Sequence, residues 1–453
     1  MGWIRFITLA PGHFHAALVQ KYSRPGVHPR VHVYGPLDDD TLAHCARIAR
    51  FNHRPDNPTA WELEVHACSD YLERFVREQP GNTVVLSGRN RPKIGWMEVA
   101  VANGLHVLAD KPWIIEPDDF PRLQRLLHAA EQREVIVWDI LTERWEITNW
   151  LQREFVRDPD IFGTWQVGTP EEPGLVLRSV HFLNKLVSGQ PLLRPWWWFD
   201  RRIAGEAMAD VGTHLADLAL GLVAPDQAVD FRNDIQMLSA TQQPLGLSED
   251  QFRHITGLRG FVPELEPYLQ QGQLVYCGDQ VATFRLRGVY VRLNTVWEWQ
   301  SPGSDMHECT ARGTRSIITI RQQPSHPPEL SVSARHPSDH AELMKQLRQK
   351  CLSLQREFAG LSVADRGYEG HIQIPEHWRS NHEDHFAAVL DDYIRYAHDP
   401  STIPSWEKSQ ALARYFITTQ AVTLLRAGQE RQPPDGVSTS GLAGGGRTPP
   451  SSS

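Results

Sequence analysis

A chain of 453 residues with a formal net charge of −8 and 41% hydrophobic residues is long enough for two or three domains and has no excess of positive charge for nucleic acid. No apolar run approaches the roughly 18 residues that a membrane helix requires, and the N-terminus is not typical of a signal peptide. The five cysteines lack C-x-x-C spacing, which argues against a zinc site and a disulfide scaffold. We therefore expect a cytoplasmic protein with a small-molecule partner and with no nucleic-acid or membrane partner.

The first third of the chain alternates short apolar strands with helical segments. A strand at 4–9 ends at a Pro-Gly turn, and a helix is predicted at 13–22. The same alternation continues with strands at 31–34, 83–86, 106–109 and 135–138 and helices at 40–51, 68–78, 93–102 and 117–131. Because parallel strands need crossovers, this pattern predicts an α/β domain over residues 1–145, with a Rossmann-type, doubly wound parallel sheet.

Beyond residue 146 the strands become longer. They are predicted at 164–167, 175–182, 274–277, 282–286, 289–297 and 315–320, which indicates an α+β domain over 146–427 with an open, mainly antiparallel sheet. Two segments, 233–271 and 324–372, are interpreted as polar or helical insertions without sheet, with an exposed amphipathic helix at 339–358. Helices at 382–397 and 406–427 follow. The tail at 428–453 is rich in Gly, Pro, Ser and Thr and is expected to be disordered.

A helix predicted near residues 205–222 carries two kinds of residue. Asp210, His214 and Asp217 fall within about 60° of one another on this helix. A separate apolar stripe consists of Met208, Val211, Leu215, Leu218 and Leu222. Gly212 costs about 1 kcal/mol in a helix interior, which makes sense if something must approach the backbone. Taken alone, Asp210 and His214 fit a buried polar pair and a catalytic pair equally well.

The turn after the first strand stands where dinucleotide-binding folds carry G-x-G-x-x-G. Ala10, Gly12 and His15 occupy the three glycine positions, so only the middle glycine is present. The carboxylate that holds the ribose in such folds is also missing, because Tyr34-Gly35 stands at the end of the second strand. This turn by itself leaves dinucleotide binding open.

The segment Asp110-Lys111-Pro112 follows the strand at 106–109. Proline holds the residue before it in an extended conformation, which suits the projection of the Lys111 amine into a cleft. The alternative is a surface turn with an exposed lysine.

Together these motifs resemble the glucose-fructose oxidoreductase / inositol dehydrogenase (Gfo/Idh/MocA) family. Members of that family carry a Rossmann turn, E-K-P after the fifth strand, and D-x-G-x-H followed by D-L on a helix of the second domain. Asp110-Lys111-Pro112 matches E-K-P with Asp for Glu, and residues 210–214 with Asp217-Leu218 match the second motif fully. The resemblance spans about residues 4–222, and the later insertions resemble a subgroup with an enlarged C-terminal domain.

The resemblance implies an oxidoreductase that transfers a hydride between NAD or NADP and a sugar, cyclitol or related polyol. It implies that His214 is the acid/base, that Lys111 hydrogen-bonds the reacting oxygen, and that Asp210 orients the substrate or the imidazole. The implied cofactor contacts are Ala10, Gly12, His13, Phe14, Ser87, Asn90, Asp110, Lys111 and Pro112. The amides of Gly12 and His13 are the expected phosphate donors. A homo-oligomer is left open.

Other residues near these motifs are candidates for substrate contact. Trp197 belongs to an aromatic run that either stacks on a sugar ring or packs in a core or interface. Arg144 either lines the cleft or forms a structural ion pair, and Asp217 shares the helix face of His214. Arg89 and Arg91 either contact a charged group of the ligand or are solvated loop charges.

Metal ligands are present by residue type in two places. His13 and His15 lie in the first turn, and two further histidines lie at His382 and His385. Because the sequence places no third partner beside either pair, no metal is expected.

Two alternatives to a net dehydrogenase remain. One is an enzyme that retains NAD and uses transient oxidation to cleave or isomerise a glycoside. The other is a non-catalytic nucleotide or sugar-phosphate-binding protein, which the missing glycines of the first turn motivate.

Overall fold

The computed structural model describes residues 3–187, 190–300, 305–324 and 326–429, and the chain forms two large sheets. The strands of the first sheet are β1 (Phe6–Leu9), β2 (Arg30–Gly35), β3 (Glu62–Ala67), β4 (Thr83–Leu86), β5 (His106–Asp110) and β6 (Val137–Ile140). They are all parallel, in the order β3-β2-β1-β4-β5-β6. The connecting helices are α1 (His15–Leu18), α2 (Asp39–His53), α3 (Tyr71–Glu78), α4 (Lys93–Ala102) and α5 (Phe120–Gln132).

The predicted doubly wound sheet is confirmed. Its strand order reverses between β1 and β4, so the crevice that binds ligands in such sheets lies at the carboxyl ends of these two strands. The turn after β1 and the loop after β4 border this crevice.

Two elements of this sheet differ from the prediction. The helix predicted at 13–22 is the single turn α1, because the amides of Gln20 and Lys21 bond to carbonyls three residues back and the helical pattern stops. Strand β3 escaped prediction because it is an edge strand in which no residue is fully buried, so it has no apolar periodicity.

The second sheet has ten strands. They are β7 (Leu175–Asn184), β10 (Ile235–Leu247), β11 (Leu269–Gln270), β12 (Gln273–Leu286), β13 (Val289–Gln300), β14 (Met306–Arg312), β15 (Ser316–Arg321), β16 (Glu329–Ala334), β17 (Ser362–Asp365) and β18 (Gly370–Gln373). A separate hairpin joins β8 (Leu186–Val187) to β9 (Gln190–Pro191). The large sheet runs β10-β12-β13-β7-β14-β15-β16-β18-β17, with β11 beside β12. Only the pair β13–β7 is parallel among the pairs described, so the prediction of an open, mainly antiparallel sheet is confirmed.

The later helices are α6 (Ile147–Val156), α7 (Ala207–Val223), α8 (Glu249–Thr256), α9 (His340–Leu354), α10 (His382–His398) and α11 (Glu407–Gln429). Helix α9 is amphipathic, as predicted, and buries Leu343, Met344, Leu347 and Cys351. No helix in the described part of the chain is long and apolar enough to cross a membrane.

Both segments predicted as insertions contribute strands, so that prediction is wrong. The first contains β10 and β11 as well as helix α8, and the second contains β16, β17 and most of β18 as well as helix α9. Strand β10 is the edge of the sheet and mostly exposes polar side chains, which is why its sequence lacks an apolar pattern. Conversely, the strand predicted at 164–167 is only a bridge between Trp165 and Gly313, and the two strands predicted at 274–286 are the single strand β12.

The C-terminal helices tie the two halves together. Helix α10 packs on the first sheet, where Phe386, Val389 and Tyr393 share a core with Phe6 and Val85. Helix α11 packs against α7 and β10. The predicted tail begins two residues too early, because α11 continues to Gln429, and the rest of it, 430–453, lies outside the described residues.

Candidate active site

Helix α7 presents two polar side chains from an otherwise buried first half. Between Ala207 and Leu220, only Asp210 and His214 are not fully buried. Gly212, which was expected to admit a ligand, is covered instead by the side chain of Met208, whose sulfur would lie 2.6 Å from a Cβ at this position. The open side of α7 is therefore the side of Asp210 and His214.

The start of α7 is held by a buried glutamine of the second sheet. Gln280 of β12 accepts a hydrogen bond from the Met208 amide at 2.6 Å and donates one to the Glu206 carboxylate at 3.0 Å. Gly205 enters the helix with a φ of 89°, a conformation that favours glycine. These contacts fix where the side chain of Asp210 emerges.

Lys111 lies immediately after β5 and its ammonium donates a hydrogen bond to Asp210. Burial alone would raise the pKa of Asp210, but the charge and the hydrogen bond of Lys111, together with the nearby histidines, outweigh burial and hold this pKa below its usual value. Burial would likewise lower the pKa of Lys111, and the carboxylates of Asp210 and Asp110 raise it instead. Both members of the pair are therefore charged at neutral pH.

His214 lies one turn further along α7. Burial, followed by the positive charge of Lys111, holds the pKa of this imidazole well below its usual value. Its Nδ1 is buried without a hydrogen-bond partner among the described residues. A neutral imidazole beside an ammonium can accept a proton. The hydrogen bond between Lys111 and Asp210 brings the two motifs, residues 110–112 and 210–214, together in the folded chain.

A second polar cluster surrounds Asp110, which is 4% exposed. Its Oδ2 accepts hydrogen bonds from Ser87 at 2.9 Å and from Nδ1 of His15 at 3.0 Å, and Nδ1 of His13 lies 3.4 Å away. Nε2 of His15 lies 2.9 Å from Nε2 of His382 at the start of α10. Four elements of the fold converge on this carboxylate.

Comparison with known proteins assigns the family. A family model described as "Putative oxidoreductase C terminal domain" matches residues 151–426. A solved structure described as a "putative oxidoreductase" from Parabacteroides merdae ATCC 43184 is 35% identical, has a TM-score of 0.91, and covers 94% of this chain and 98% of that chain. The chain belongs to the Gfo/Idh/MocA oxidoreductase family.

More distant structures of the family share the fold at low identity. GenD2 from gentamicin A biosynthesis, solved in complex with NAD, is 12% identical with a TM-score of 0.56 and covers 95% of each chain. KijD10, a 3-ketoreductase from Actinomadura kijaniata solved with NADP and TDP-benzene, is 12% identical with a TM-score of 0.55 and covers 94% of this chain and 98% of that one. No curated protein sequence matches this chain.

The turn after β1 does not offer the amide donors that were expected to bind phosphate. The amides of Gly12 and His13, which were expected to bind phosphate, donate to the carbonyl of Ser87 at 3.0 and 3.2 Å. The close packing of the β4 loop on this turn is the reason. The amides of Phe14 and His15, at the start of α1, have no acceptor in the described part of the chain.

Glycine is required at position 88, on the β4 side of that contact. A Cβ at Gly88 would lie 2.6 Å from the carbonyl oxygen of Ala10 and 2.9 Å from the amide nitrogen of Gly12. Ala10 itself has a φ of 46°, the left-handed conformation for which the family fingerprint carries glycine.

Asn90 and Lys93 brace the loop after β4. The amine of Lys93 is buried and donates to the side chain of Asn90 at 2.8 Å and to the carbonyls of Asp110 and Pro112 at 2.6 and 2.9 Å. Asn90 in turn donates to the carbonyl of Ala204 at 2.7 Å. These two side chains hold the end of β5 against the segment that leads into α7.

Trp197 packs on the first turn. It is 3% exposed, and its Nε1 donates to Asp40 at 2.9 Å. A Cβ at Gly12 would lie 3.3 Å from its ring. Arg89 and Arg91 also lie near carboxylates at the starts of α2 and α5. The position of Trp197 therefore fits the packing alternative. Nearby carboxylates partly neutralise the charges of Arg89 and Arg91.

Arg144 and Asp217 belong to a buried ion-pair network. Arg144 donates two hydrogen bonds of 2.6 Å to Asp217 and two, of 2.9 and 3.1 Å, to Glu407. Arg414, which is 0% exposed, bonds Asp217 at 2.5 Å and Asp139 at 3.2 Å. The structural alternative thus accounts for Arg144, and Asp217 is already bound by two arginines.

A cavity of about 250 Å³ lies beside this network. Its aromatic lining residues are Trp138, Trp145, Trp150, Tyr396 and Trp406. Arg144 and Asp217 line it as well, whereas Lys111, Asp210 and His214 are not among its lining residues. The two groups of candidate residues therefore face different spaces.

Glu143 is a candidate site residue that the sequence interpretation missed. It follows β6 as Lys111 follows β5, and burial, followed by the charge of Glu146, raises the pKa of Glu143 to about 7. The charge of Lys111 acts on it in the opposite direction. Its place at the carboxyl end of a parallel strand was the available signal.

A further polar group near Asp210 left no sequence signal. Nδ1 of His181 in β7 lies 2.8 Å from Asp305, and Lys185 also donates to Asp305. The charge of His181 lowers the pKa of Asp210, so this group lies within electrostatic range of Asp210. Only sheet pairing brings these residues together.

Proposed function

We propose that this oxidoreductase transfers a hydride between NAD or NADP and a sugar, cyclitol or related polyol. The observation that carries the proposal is the Lys111–Asp210 pair with the neutral His214 beside it, at the edge where the carboxyl ends of the first sheet meet α7. Hydride leaves a carbinol carbon as its hydroxyl proton departs, so a base and a nearby cation suit this reaction.

The three side chains have separate roles in this proposal. The neutral imidazole of His214 accepts the hydroxyl proton. The ammonium of Lys111 stabilises the negative charge that develops on the oxygen, since a fixed cation in a partly buried site acts more strongly than in water. Asp210 keeps Lys111 protonated and orients its ammonium.

The crevice between β1 and β4 lies at the position where doubly wound sheets bind dinucleotides. Among the described residues, the amides of Phe14 and His15 have no acceptor and are the donors available to its phosphates, and neither Gly12 nor Gly88 adds a side chain of its own to the turn. A bound nicotinamide supplies the hydride chemistry. GenD2 with NAD and KijD10 with NADP support this assignment.

The substrate class rests on polar groups that lie within electrostatic range of Lys111 or Asp210. Glu143, Lys185, His181 and Asp305 offer donors and acceptors, which suit a ligand with several hydroxyl groups. The ring of His181 stacks on Trp297 with centroids 5.0 Å apart. KijD10 is a 3-ketoreductase, which supports hydride transfer between the cofactor and a carbinol or carbonyl carbon.

Calorimetric titration with the oxidised and reduced forms of NAD and NADP tests the first half of the proposal. We expect one of the two cofactors to bind, and a panel of sugars and polyols to change its absorbance. His214→Asn should bind the cofactor like the wild type and turn over at least about 100-fold more slowly.

Two results would contradict the proposal. Failure of every cofactor form to bind would exclude hydride transfer and leave the binding-protein alternative. Glycoside cleavage without added cofactor and without net reduction would replace the dehydrogenase with the transient-oxidation enzyme.

A further inference from the structure

In the folded chain a third possible metal ligand, Asp110, lies beside His13 and His15, where the sequence alone placed none. His13 and His15 project from the turn after β1, and Asp110 ends β5, with 95 residues between His15 and Asp110. One ligand atom of each lies within 4.8 Å of the other two. Oδ2 of Asp110 lies 3.0 Å from Nδ1 of His15 and 3.4 Å from Nδ1 of His13.

These separations suit a cation with short bonds. Zinc binds histidine nitrogen and carboxylate oxygen at about 2.0–2.2 Å, so tetrahedral ligand atoms lie about 3.4 Å apart. Two imidazoles and one carboxylate form a set that divalent transition metals prefer over magnesium or calcium, which take mainly oxygen.

Two atoms of the cluster lack partners. Nδ1 of His13 and Oδ1 of Asp110 are buried and make no hydrogen bond to any described residue. The 3.4 Å contact between His13 and Asp110 does not meet hydrogen-bond geometry, so it does not satisfy the imidazole. An unpaired buried imidazole nitrogen is costly, and a cation bound to Nδ1 of His13 would compensate it.

Neighbouring side chains hold Asp110 and His15 by hydrogen bonds, as is usual for metal ligands. Ser87 donates to the Asp110 carboxylate at 2.9 Å and fixes its plane. When Nδ1 of His15 holds a cation, its Nε2 carries the proton and donates to Nε2 of His382, 2.9 Å away.

We propose that His13, His15 and Asp110 bind one divalent transition-metal cation of the zinc class, with His382 as the residue that orients His15. The side chain of His13 is 35% exposed and those of His15 and Asp110 are below 10%, so the fourth coordination position opens on the His13 side. This inference does not rest on the proposed function, because its test uses the protein without cofactor or substrate.

A second cluster of two histidines and one carboxylate in the same chain serves as a matched control for metal binding. His32, Glu64 and His66 form a second group of the same residue types on β2 and β3. The Glu64 side chain is 45% exposed, and the two imidazoles stack with centroids 5.7 Å apart. A surface group of this kind is common without a cation, so we expect it not to compete.

The experiment measures zinc and cobalt binding to the full chain after treatment with a chelator. We expect one equivalent of zinc by calorimetry, and a visible absorption band when Co²⁺ is the probe. His13→Ala removes a partly exposed ligand without disturbing the core and should abolish both signals. His382→Ala should weaken binding about 10- to 100-fold, and the double variant His32→Ala/His66→Ala should bind like the wild type.

Asp110→Asn is a second, isosteric variant that keeps the contact with Ser87 and should also lose the metal. The proposal is overturned if the wild type binds neither cation, if binding survives His13→Ala and Asp110→Asn, or if His32→Ala/His66→Ala abolishes it. Thermal unfolding of each variant in the absence of metal shows that the fold is retained.

Discussion

Lys111 donates a hydrogen bond to Asp210 and so joins the end of β5 in the first sheet to the first turns of α7. Each residue belongs to a different motif of the sequence, and neither is fully buried. The pair fixes the position of the Lys111 ammonium where the two halves of the molecule meet.

Lys111→Met keeps the length of the side chain and removes this charge. We expect turnover with the substrate found in the panel to fall at least about 100-fold, because the negative charge on the reacting oxygen loses its stabilising cation. Steady-state kinetics measure the effect. Lys408→Met, which removes a surface amine paired with Glu131, is the control and should leave turnover unchanged.

Arg414→Met tests whether the network around Asp217 is structural. The substitution leaves Asp139 and Asp217 in the core without their fully buried partner, and removing one member of a buried pair costs about 3–5 kcal/mol. Urea unfolding should show a loss of this size. Glu131→Gln, at the exposed pair with Lys408, should cost less than about 1 kcal/mol; equal losses in the two variants would show that the buried network is not structural.

Glu143→Gln tests the raised pKa of Glu143 through stability. The folded state, with a pKa of about 7, binds more protons than the unfolded state, with a pKa of about 4.3, between these two pH values. The wild type therefore loses stability from this group as pH rises from about 4.3 to 7.

The glutamine side chain of this variant mimics the protonated acid and does not titrate. We expect the stability of the variant relative to the wild type to increase between pH 5 and pH 8, measured by urea unfolding. Glu131→Gln serves as the control, because Lys408 lowers the pKa of Glu131 and its difference from wild type should stay constant between these pH values. A constant difference for Glu143→Gln as well would mean that its pKa is not raised.

Gly88→Ala tests the contact between the β4 loop and the first turn. Its Cβ would meet backbone atoms of Ala10 and Gly12 at 2.6 and 2.9 Å, which cannot move without displacing the turn. We expect lower thermal stability and weaker cofactor binding. Gly221→Ala is the matched control, since it lies in α7 with open space around it and should stabilise the helix by up to about 1 kcal/mol.

Sequence periodicity predicted those elements whose burial is regular along the chain. The apolar strands β1, β4 and β5 and the two-faced helix α7 have such patterns, and helical spacing alone placed Asp210 and His214 on one side. The edge strands β3 and β10 have one neighbour and few buried side chains, so their sequences carried no such pattern.

The sequence by itself determined the parallel sheet, the two motifs and their family, because local burial and short spacings are written along the chain. Only the tertiary structure decided which polar groups already have hydrogen-bond partners. The carbonyl of Ser87 accepts from the amides of Gly12 and His13, and Arg414 bonds to Asp217, 197 residues away in sequence. The tertiary structure also brought His382 within 2.9 Å of His15 across 367 residues. Partners so distant in sequence are set by packing, and no local pattern records them.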